Sequence, residues 1–285
     1  MIDTHLHLID RAALDYPWLS QVPPLNRDFL WAEYQALADR CGITQSIFME
    51  VDVTAPQNWA EMAYVGSLSR AYPDKLVAAI MAGRPESPEF IAPNLAHSQK
   101  FIKGMRRVLH VLPPEQLRDI LSSDIFVENL RRLGELGFTF DLCIPIEAAD
   151  EIARVIDAVP NLTFILDHAG RPNIDTKTQP DNHQAWRHGI KHLSKRRNVV
   201  VKISGLIDRA DPVRWRLADL RPFIETVISE FGWQRVIWGS DWPVCNLAGG
   251  LSEWAAASRA LVADCSPDEQ NALFHENAQR IYHVK

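Results

Sequence analysis

Residues 139–170 read TFDLCIPIEAADEIARVIDAVPNLTFILDHAG and contain two short apolar runs with a helical segment between them. The runs TFDLCI (139–144) and LTFIL (162–166) combine aliphatic, β-branched and aromatic residues, which favours strands. The intervening segment carries one apolar stripe at helical spacing, formed by Ile152, Val155, Ile156 and Val159. The stretch therefore predicts a strand–helix–strand unit, the building block of a parallel sheet.

The same alternation continues in both directions along the chain. Six further apolar runs are candidate strands: IDTHLHL (2–8), QSIFMEV (45–51), LVAAIM (76–81), FIKGM (101–105), VVVKI (199–203) and RVIWG (235–239). Nearly continuous apolar strands indicate a parallel sheet that is buried on both faces. Eight such units in 285 residues predict an α/β protein with a single TIM-like (β/α)8 barrel domain over residues 1–285. A doubly wound open sheet is the alternative, but the GxGxxG loop typical of it is absent after the first strand.

The composition narrows the class of protein further. The formal net charge is −6 and no basic run is present, so we expect no nucleic-acid partner. No apolar stretch approaches the roughly 18 residues of a membrane span, and no signal-peptide pattern opens the chain, so we expect a cytoplasmic protein without a membrane partner. The four cysteines lack a CxxC pair and are expected to be reduced, apolar filler. The oligomeric state is left open.

Polar residues with metal-binding chemistry occur where three of the predicted strands end. His5 and His7 are two residues apart in the first strand, so their side chains share a face about 6.6 Å apart. His168 follows the sixth strand in LDHAGRP, and Asp241 follows the eighth in IWGSDWP. In a closed barrel the first and eighth strands are neighbours, and active sites lie at the carboxyl ends. The four residues therefore predict a shared divalent-metal or charge-relay site.

Other polar residues near the predicted strand ends are candidates for binding a substrate. Lys202 interrupts the apolar seventh strand, so we expect it to face the barrel mouth, or alternatively to pair with Asp141 of the fifth strand. Arg106 follows the fourth strand, and the sequence leaves open whether it or Arg107 faces inward. Trp18 lies in the long loop after the first strand and is expected to cover the ligand.

Two further expectations follow from strand alternation and from the absence of motif context. Asp167 precedes His168 and is expected to point the opposite way, in a structural role. The remaining histidines are expected to lie at the surface, with His110 the least certain because it is near Arg106; they are His97, His110, His183, His188, His192, His275 and His283.

Taken together, these motifs resemble the amidohydrolase superfamily, and more narrowly its amidohydrolase-2 branch. The motifs DYPWL, DHAGRP, VVVKISGL and WGSDWPV, with the HxH pair, resemble the sugar-acid lactonases of the L-fuconolactonase type. The resemblance extends from residue 2 to about residue 280. It implies a distorted (β/α)8 barrel and hydrolysis of a lactone ester, with a small-molecule lactone as the partner.

The sequence departs from the two-metal members of that superfamily. The fifth strand offers Asp141 but no histidine, and Lys103 on the fourth strand does not by itself indicate carboxylation. The resemblance therefore implies either one divalent metal, with zinc favoured and His5, His7, His168 and Asp241 as ligands, or no metal.

Ester chemistry assigns the expected catalytic roles. Asp241 would activate water, and His168, with His5 and His7, would polarise the carbonyl. Three alternatives remain open at this point: a metal-dependent decarboxylase of the same branch, a hydrolase of an aromatic-pathway lactone such as a muconolactone, and a binding barrel without catalysis.

Overall fold

The computed structural model describes residues 1–90, 100–174 and 180–285. The strands are β1 (Ile2–Leu6), β2 (Gln45–Met49), β3 (Leu76–Ala82), β4 (Ile102–Val108), β5 (Thr139–Cys143), β6 (Thr163–Leu166), β7 (Val199–Ile203) and β8 (Val236–Trp238). The α-helices are α1 (Trp31–Arg40), α2 (Asn58–Ala71), α3 (Pro114–Leu121), α4 (Asp124–Glu135), α5 (Ala149–Ala158), α6 (Pro180–Ser194), α7 (Leu217–Phe231), α8 (Leu251–Leu261), α9 (Pro267–Asn271) and α10 (Asn277–Tyr282). None of the helices in these ranges is long and apolar enough to cross a membrane.

The eight strands form one parallel sheet in chain order that closes into a barrel. Leu6 of β1 bridges Trp242 beyond β8, and two backbone hydrogen bonds flank this bridge. Asp241 N donates to His5 O at 2.9 Å, and His7 N donates to Trp242 O at 2.8 Å. The predicted (β/α)8 barrel is confirmed and the open sheet is wrong. All eight predicted strands are present, and their ends differ from the predicted ones by at most three residues.

Two apolar layers hold the barrel together. The larger layer fills the space between the sheet and the surrounding helices, and it includes Ile152 from the predicted stripe of α5. The smaller layer includes Ile47, Ile80, Ile165, Ile237 and Tyr282. Because Tyr282 belongs to α10, the carboxyl-terminal helix packs against the apolar residues of the barrel interior. Polar side chains are left to the opposite end, where the strands terminate.

Candidate active site

Three imidazoles converge on one carboxyl group at the carboxyl ends of β1, β6 and β8. Asp241 Oδ1 lies 3.4 Å from His7 Nε2 and 3.6 Å from His5 Nε2, and Asp241 Oδ2 lies 3.7 Å from His168 Nδ1. All four side chains are buried. The convergence predicted for these residues is therefore observed, because the ends of parallel strands meet at one rim of the barrel.

Unusual backbone presents two of these side chains. The φ angle is +53° at His168 and +56° at Asp241, a left-handed conformation that His and Asp adopt more often than most residues. Gly205 faces both of them, and a Cβ added there would lie 2.8 Å from Asp241 Oδ2. A side chain at this position would push the two groups apart, so glycine is what allows their close approach.

Asp167 also faces the barrel interior. The expectation that it points away from His168 is wrong, because side chains alternate only along extended backbone and β6 ends at Leu166. Asp167 Oδ1 lies 3.5 Å from His5 Nδ1 and 3.1 Å from Lys202 Nζ. The Asp167 carboxyl group is therefore part of the floor beneath His5.

Lys202 and Asp141 complete this floor. Lys202 Nζ lies 2.6 Å from Asp141 Oδ1 and 3.2 Å from His5 Nδ1, and both members of the ion pair are buried. The expectation that Lys202 faces the barrel mouth is wrong, and the alternative pairing with Asp141 is observed. Neither residue lines the cavity described below, so the geometry does not support the direct substrate contact predicted for them. The attraction between their carboxylate and ammonium groups offsets the free-energy cost of burying both charges, and the pair holds His5 in place.

Arg106, and not Arg107, faces the site. Arg106 Nε donates to Glu50 Oε1 at 2.5 Å, and Arg106 NH1 lies 3.3 Å from His5 Nε2. Arg107 instead donates to Glu86 at 2.9 Å. The sequence analysis did not predict Glu50 as a site residue, although an acidic residue directly after the apolar run of β2 was a usable signal. The Glu50 carboxylate fixes the Arg106 guanidinium against the imidazole of His5.

A cavity of about 320 Å³ opens above these groups. Trp18 lines it, and its Nε1 donates to Val51 O at 2.8 Å. His7, His168, Asp241 and Arg106 contribute its polar wall, whereas much of the remainder is apolar. We call this space the active-site cavity.

His110 and Cys143 line the active-site cavity, against expectation. His110 Nδ1 lies 3.2 Å from Cys143 Sγ. Burial lowers the pKa of His110 to about 3 and raises that of Cys143 to about 12, so both groups are neutral. The surface assignment of His110 is wrong because β4 runs three residues further than predicted and carries the chain after it to the barrel mouth. Cys143 is buried and ends β5 beside the site.

Five other predicted surface histidines lie outside the cavity wall. His188 and His283 are exposed, whereas His183, His192 and His275 are half-buried. His97 lies outside the described residues.

Arg171 and Asp208 also line the active-site cavity, and the sequence analysis did not predict them as site residues. Arg171 lies three residues after His168 in DHAGRP, and its place in the loop that follows β6 was a signal. Asp208 lies in a short 3-10 helix after β7 (Ile207–Arg209), with no motif around it.

Burial controls the protonation of the central groups. It raises the pKa of Asp241 to about 8 and that of Asp141 to about 7, the latter despite the opposing charge of Lys202. It lowers the pKa of His7 to about 4 and holds the pKa values of His5 and His168 well below their usual range. The three imidazoles are therefore neutral, which is the form that binds metals.

The donor set fits a divalent cation. Ligand atoms of His5, His168 and Asp241 lie within 4.8 Å of one another, and imidazole nitrogen with carboxylate oxygen is typical zinc chemistry. A second group with the same spacing consists of Cys143, Asp167 and His168. Two cationic side chains, Arg106 and Lys202, lie next to His5. The carboxyl groups around them are more numerous, namely Glu50, Asp141, Asp167 and Asp241. When all four carboxyl groups are ionised, the surplus of negative charge favours a cation.

The tautomer of His7 is set by the backbone. His7 Nδ1 lies 2.9 Å from Met49 O, and because a carbonyl oxygen can only accept, the proton is on Nδ1. The Nε2 atom that faces Asp241 consequently carries no proton and presents its lone pair. His7 therefore suits a cation or a protonated partner, and it cannot donate to a substrate carbonyl in its neutral form.

A (β/α)8 barrel with imidazoles and a carboxyl group gathered at its carboxyl-terminal rim is the architecture of a hydrolase of the amidohydrolase type. The chain belongs to the amidohydrolase family, whose family model matches residues 2–284.

Similar proteins cover almost the whole chain. An L-fucono-1,5-lactonase from Burkholderia multivorans is 28% identical over an alignment of 291 positions, which covers 99% of this chain and 95% of that protein. A 4-sulfomuconolactone hydrolase from Rhizobium radiobacter is 24% identical over 241 residues, 85% of this chain and 75% of that protein. A crystal structure of an amidohydrolase from Burkholderia multivorans with bound zinc superposes with a TM-score of 0.87 at 24% identity, covering 100% of this chain and 99% of that one. This structural likeness establishes a common fold.

Proposed function

We propose that this amidohydrolase opens the ester ring of a small lactone, with sugar-acid lactones as the substrate class. The observation that carries the proposal is the convergence of His5, His7 and His168 on Asp241 at the wall of a cavity. The cavity is large enough for one small ring and is closed on one side by Trp18. The names of the lactonase relatives support the same reaction type.

The residues around the cavity suit ester hydrolysis. In its ionised form, which a cation bound beside it would favour against the effect of burial, Asp241 accepts a proton from the attacking water. It later returns this proton to the alkoxide that leaves when the ring opens. The oxyanion that forms on the carbonyl needs donors aimed at it, and Arg106 and His168 both line the cavity. Glu50 holds Arg106 in position by the hydrogen bond at 2.5 Å.

We further propose that His5, His168 and Asp241 hold one divalent cation, zinc in the first instance, with the Nε2 lone pair of His7 beside it. Such a cation, when bound, polarises the ester carbonyl and makes the water more acidic. The lone pair on His7 supports this arrangement over direct contact between His7 and the substrate. Lys202 and Asp167 would position His5 from below by their contacts with His5 Nδ1.

The test is a panel of sugar-acid and aromatic-pathway lactones, assayed by proton release with a pH indicator. Each lactone is offered to protein treated with a chelator and to protein supplied with zinc. We expect turnover of at least one lactone, reduced in the chelated sample. Carbon dioxide release from a carboxylated aromatic compound, without hydrolysis of any lactone, would overturn the proposal in favour of the decarboxylase alternative.

A further inference from the structure

A second cavity of about 500 Å³ adjoins the active-site cavity. The two cavities share three lining residues, His110, Arg171 and Asp208. Arg209 and Glu147 line only the second one, which we call the side cavity. A molecule whose reacting group lies at Asp241 therefore has space for a substituent that extends past Arg171 into the side cavity.

Two guanidinium groups line the side cavity, and in the described part of the chain neither has a side-chain partner of opposite charge. Within the described residues, neither Arg171 nor Arg209 forms a side-chain ion pair, and Arg209 Nε makes one long hydrogen bond, to Pro172 O at 3.4 Å. Both side chains are half-buried. Both arginines line the same cavity, and burial together with the positive charge of Arg171 lowers the pKa of Arg209. Two neighbouring cations in a partly desolvated cavity are stabilised by an anion between them.

Among the described residues, the other titratable groups that line the side cavity offset the charge of these arginines only in part. Glu147 is exposed at the rim, and His110 is kept neutral by burial. Burial raises the pKa of Asp208 to about 7, so this carboxyl group is largely protonated below neutral pH. Asp208 Oδ1 is buried and has no hydrogen-bond partner among the described residues. In its neutral form Asp208 can donate a hydrogen bond to a bound anion.

We propose that the side cavity binds a carboxylate group carried by the substrate, so that the lactone is formed from a dicarboxylic acid. The planar guanidinium forks of Arg171 and Arg209 match a carboxylate in geometry as well as in charge. This inference rests on the proposed lactone hydrolysis for its link to turnover, but the binding of the carboxylate can be measured without turnover.

The test compares two lactones with the same ring, the γ-lactone of glucaric acid, which keeps a free carboxylate, and the γ-lactone of gluconic acid, which has a hydroxymethyl group instead. We expect kcat/KM to favour the carboxylate-bearing lactone by roughly tenfold or more, the range for hydrogen bonds to a charged group. In Arg209→Met this ratio should fall close to one, mainly through KM. Arg209→Lys, which keeps the charge without the fork, should be intermediate.

Two controls separate this inference from the proposed function. Arg214→Met changes an exposed arginine that pairs with Asp211 at 3.1 Å outside both cavities, and it should leave the ratio unchanged. Calorimetry of glucarate and gluconate binding tests the side cavity even if neither lactone is hydrolysed. Failure to hydrolyse either lactone would count against the turnover of these two rings and would not bear on the side cavity. Equal binding of glucarate by the wild type and Arg209→Met, or no binding of glucarate at all, would overturn the inference.

Discussion

Lys202 Nζ lies 2.6 Å from Asp141 Oδ1, and both side chains are fully buried beneath His5. A second carboxylate, Asp167, lies 3.1 Å from the same ammonium group. Burial alone would lower the pKa of Lys202, but these two carboxylates outweigh it and the net shift is upward. Lys202, Asp141 and Asp167 therefore form a buried charged cluster beneath the active site. Removal of one member leaves the charges of the others uncompensated.

Substitution Lys202→Met should destabilise the fold strongly. It leaves Asp141 and Asp167 buried without their cation, a change that costs about 3–5 kcal/mol of the free energy of unfolding. Urea unfolding monitored by tryptophan fluorescence measures this loss. The double variant Lys202→Met with Asp141→Asn should recover part of it, because one of the stranded charges is removed. An unchanged urea midpoint in the single variant would show that the ion pair is not needed for stability.

Substitution Asp241→Asn should keep the fold and abolish most of the lactone hydrolysis. Asparagine tolerates the left-handed backbone at position 241, but its amide cannot accept the proton of water. We expect kcat to fall by roughly 10²–10⁴-fold, the usual contribution of a general base. Proton release measures the rate, circular dichroism checks the fold, and Asp264→Asn at the exposed residue 264 is the matched control. Full activity of Asp241→Asn would remove this residue from its assigned role.

Zinc titration should distinguish the two groups that could hold a cation. If His5, His168 and Asp241 form the site, calorimetry of chelator-treated protein should give one zinc per chain. Cys143→Ser should then leave zinc binding unchanged, whereas His5→Asn should weaken it by about tenfold or more. Zinc should also raise Tm, because a ligand bound only by the native state stabilises it. Loss of zinc binding in Cys143→Ser would instead assign the ion to the group with Asp167.

Substitution Asp208→Asn should stabilise the protein at alkaline pH. Burial, and next the charge of Asp241, raises the pKa of Asp208 to about 7, whereas an aspartate in an unfolded chain titrates near pH 3.9. Between these values the native state holds a proton that the unfolded state has released, so the free energy of unfolding falls as pH rises.

At pH 8 the free energy of unfolding of the Asp208→Asn variant should exceed that of the wild type by about 1–3 kcal/mol, a range reduced for the partial exposure of this side chain. At pH 4 the difference should be near zero, which provides an internal control. Urea unfolding at both pH values checks the sign. A difference that is the same at both pH values would mean that the Asp208 pKa is not raised in the folded protein.

The barrel and the centre of the site are predictable from local sequence. Each strand is a short apolar run between helical segments, so its position depends on residues within a few positions of it. His5, His168 and Asp241 follow such runs directly, and in a parallel barrel the ends of all strands meet at one rim. Their convergence therefore needs only the strand assignment and the barrel topology.

The direction of individual side chains near the strand ends was not predictable in this way. Arg106 faces the site because β4 continues through it to Val108, and Asp167 turns inward because the extended backbone stops at Leu166. Cys143 and His110 reach the cavity for similar reasons. A shift of one residue in a strand reverses the face on which a side chain lies, and apolar patterns locate strand ends only within a few residues.

The sequence by itself determined the eight strand–helix units and the set of histidines and the aspartate at the barrel mouth, because both depend on local hydrophobic pattern and chain order. Only the tertiary structure decided that Lys202 pairs with Asp141, that Glu50 holds Arg106, and that two arginines share a side cavity. These relationships join residues that are 38 to 61 positions apart in the chain. Their partners are selected by register, burial and charge balance in three dimensions, which no local pattern encodes.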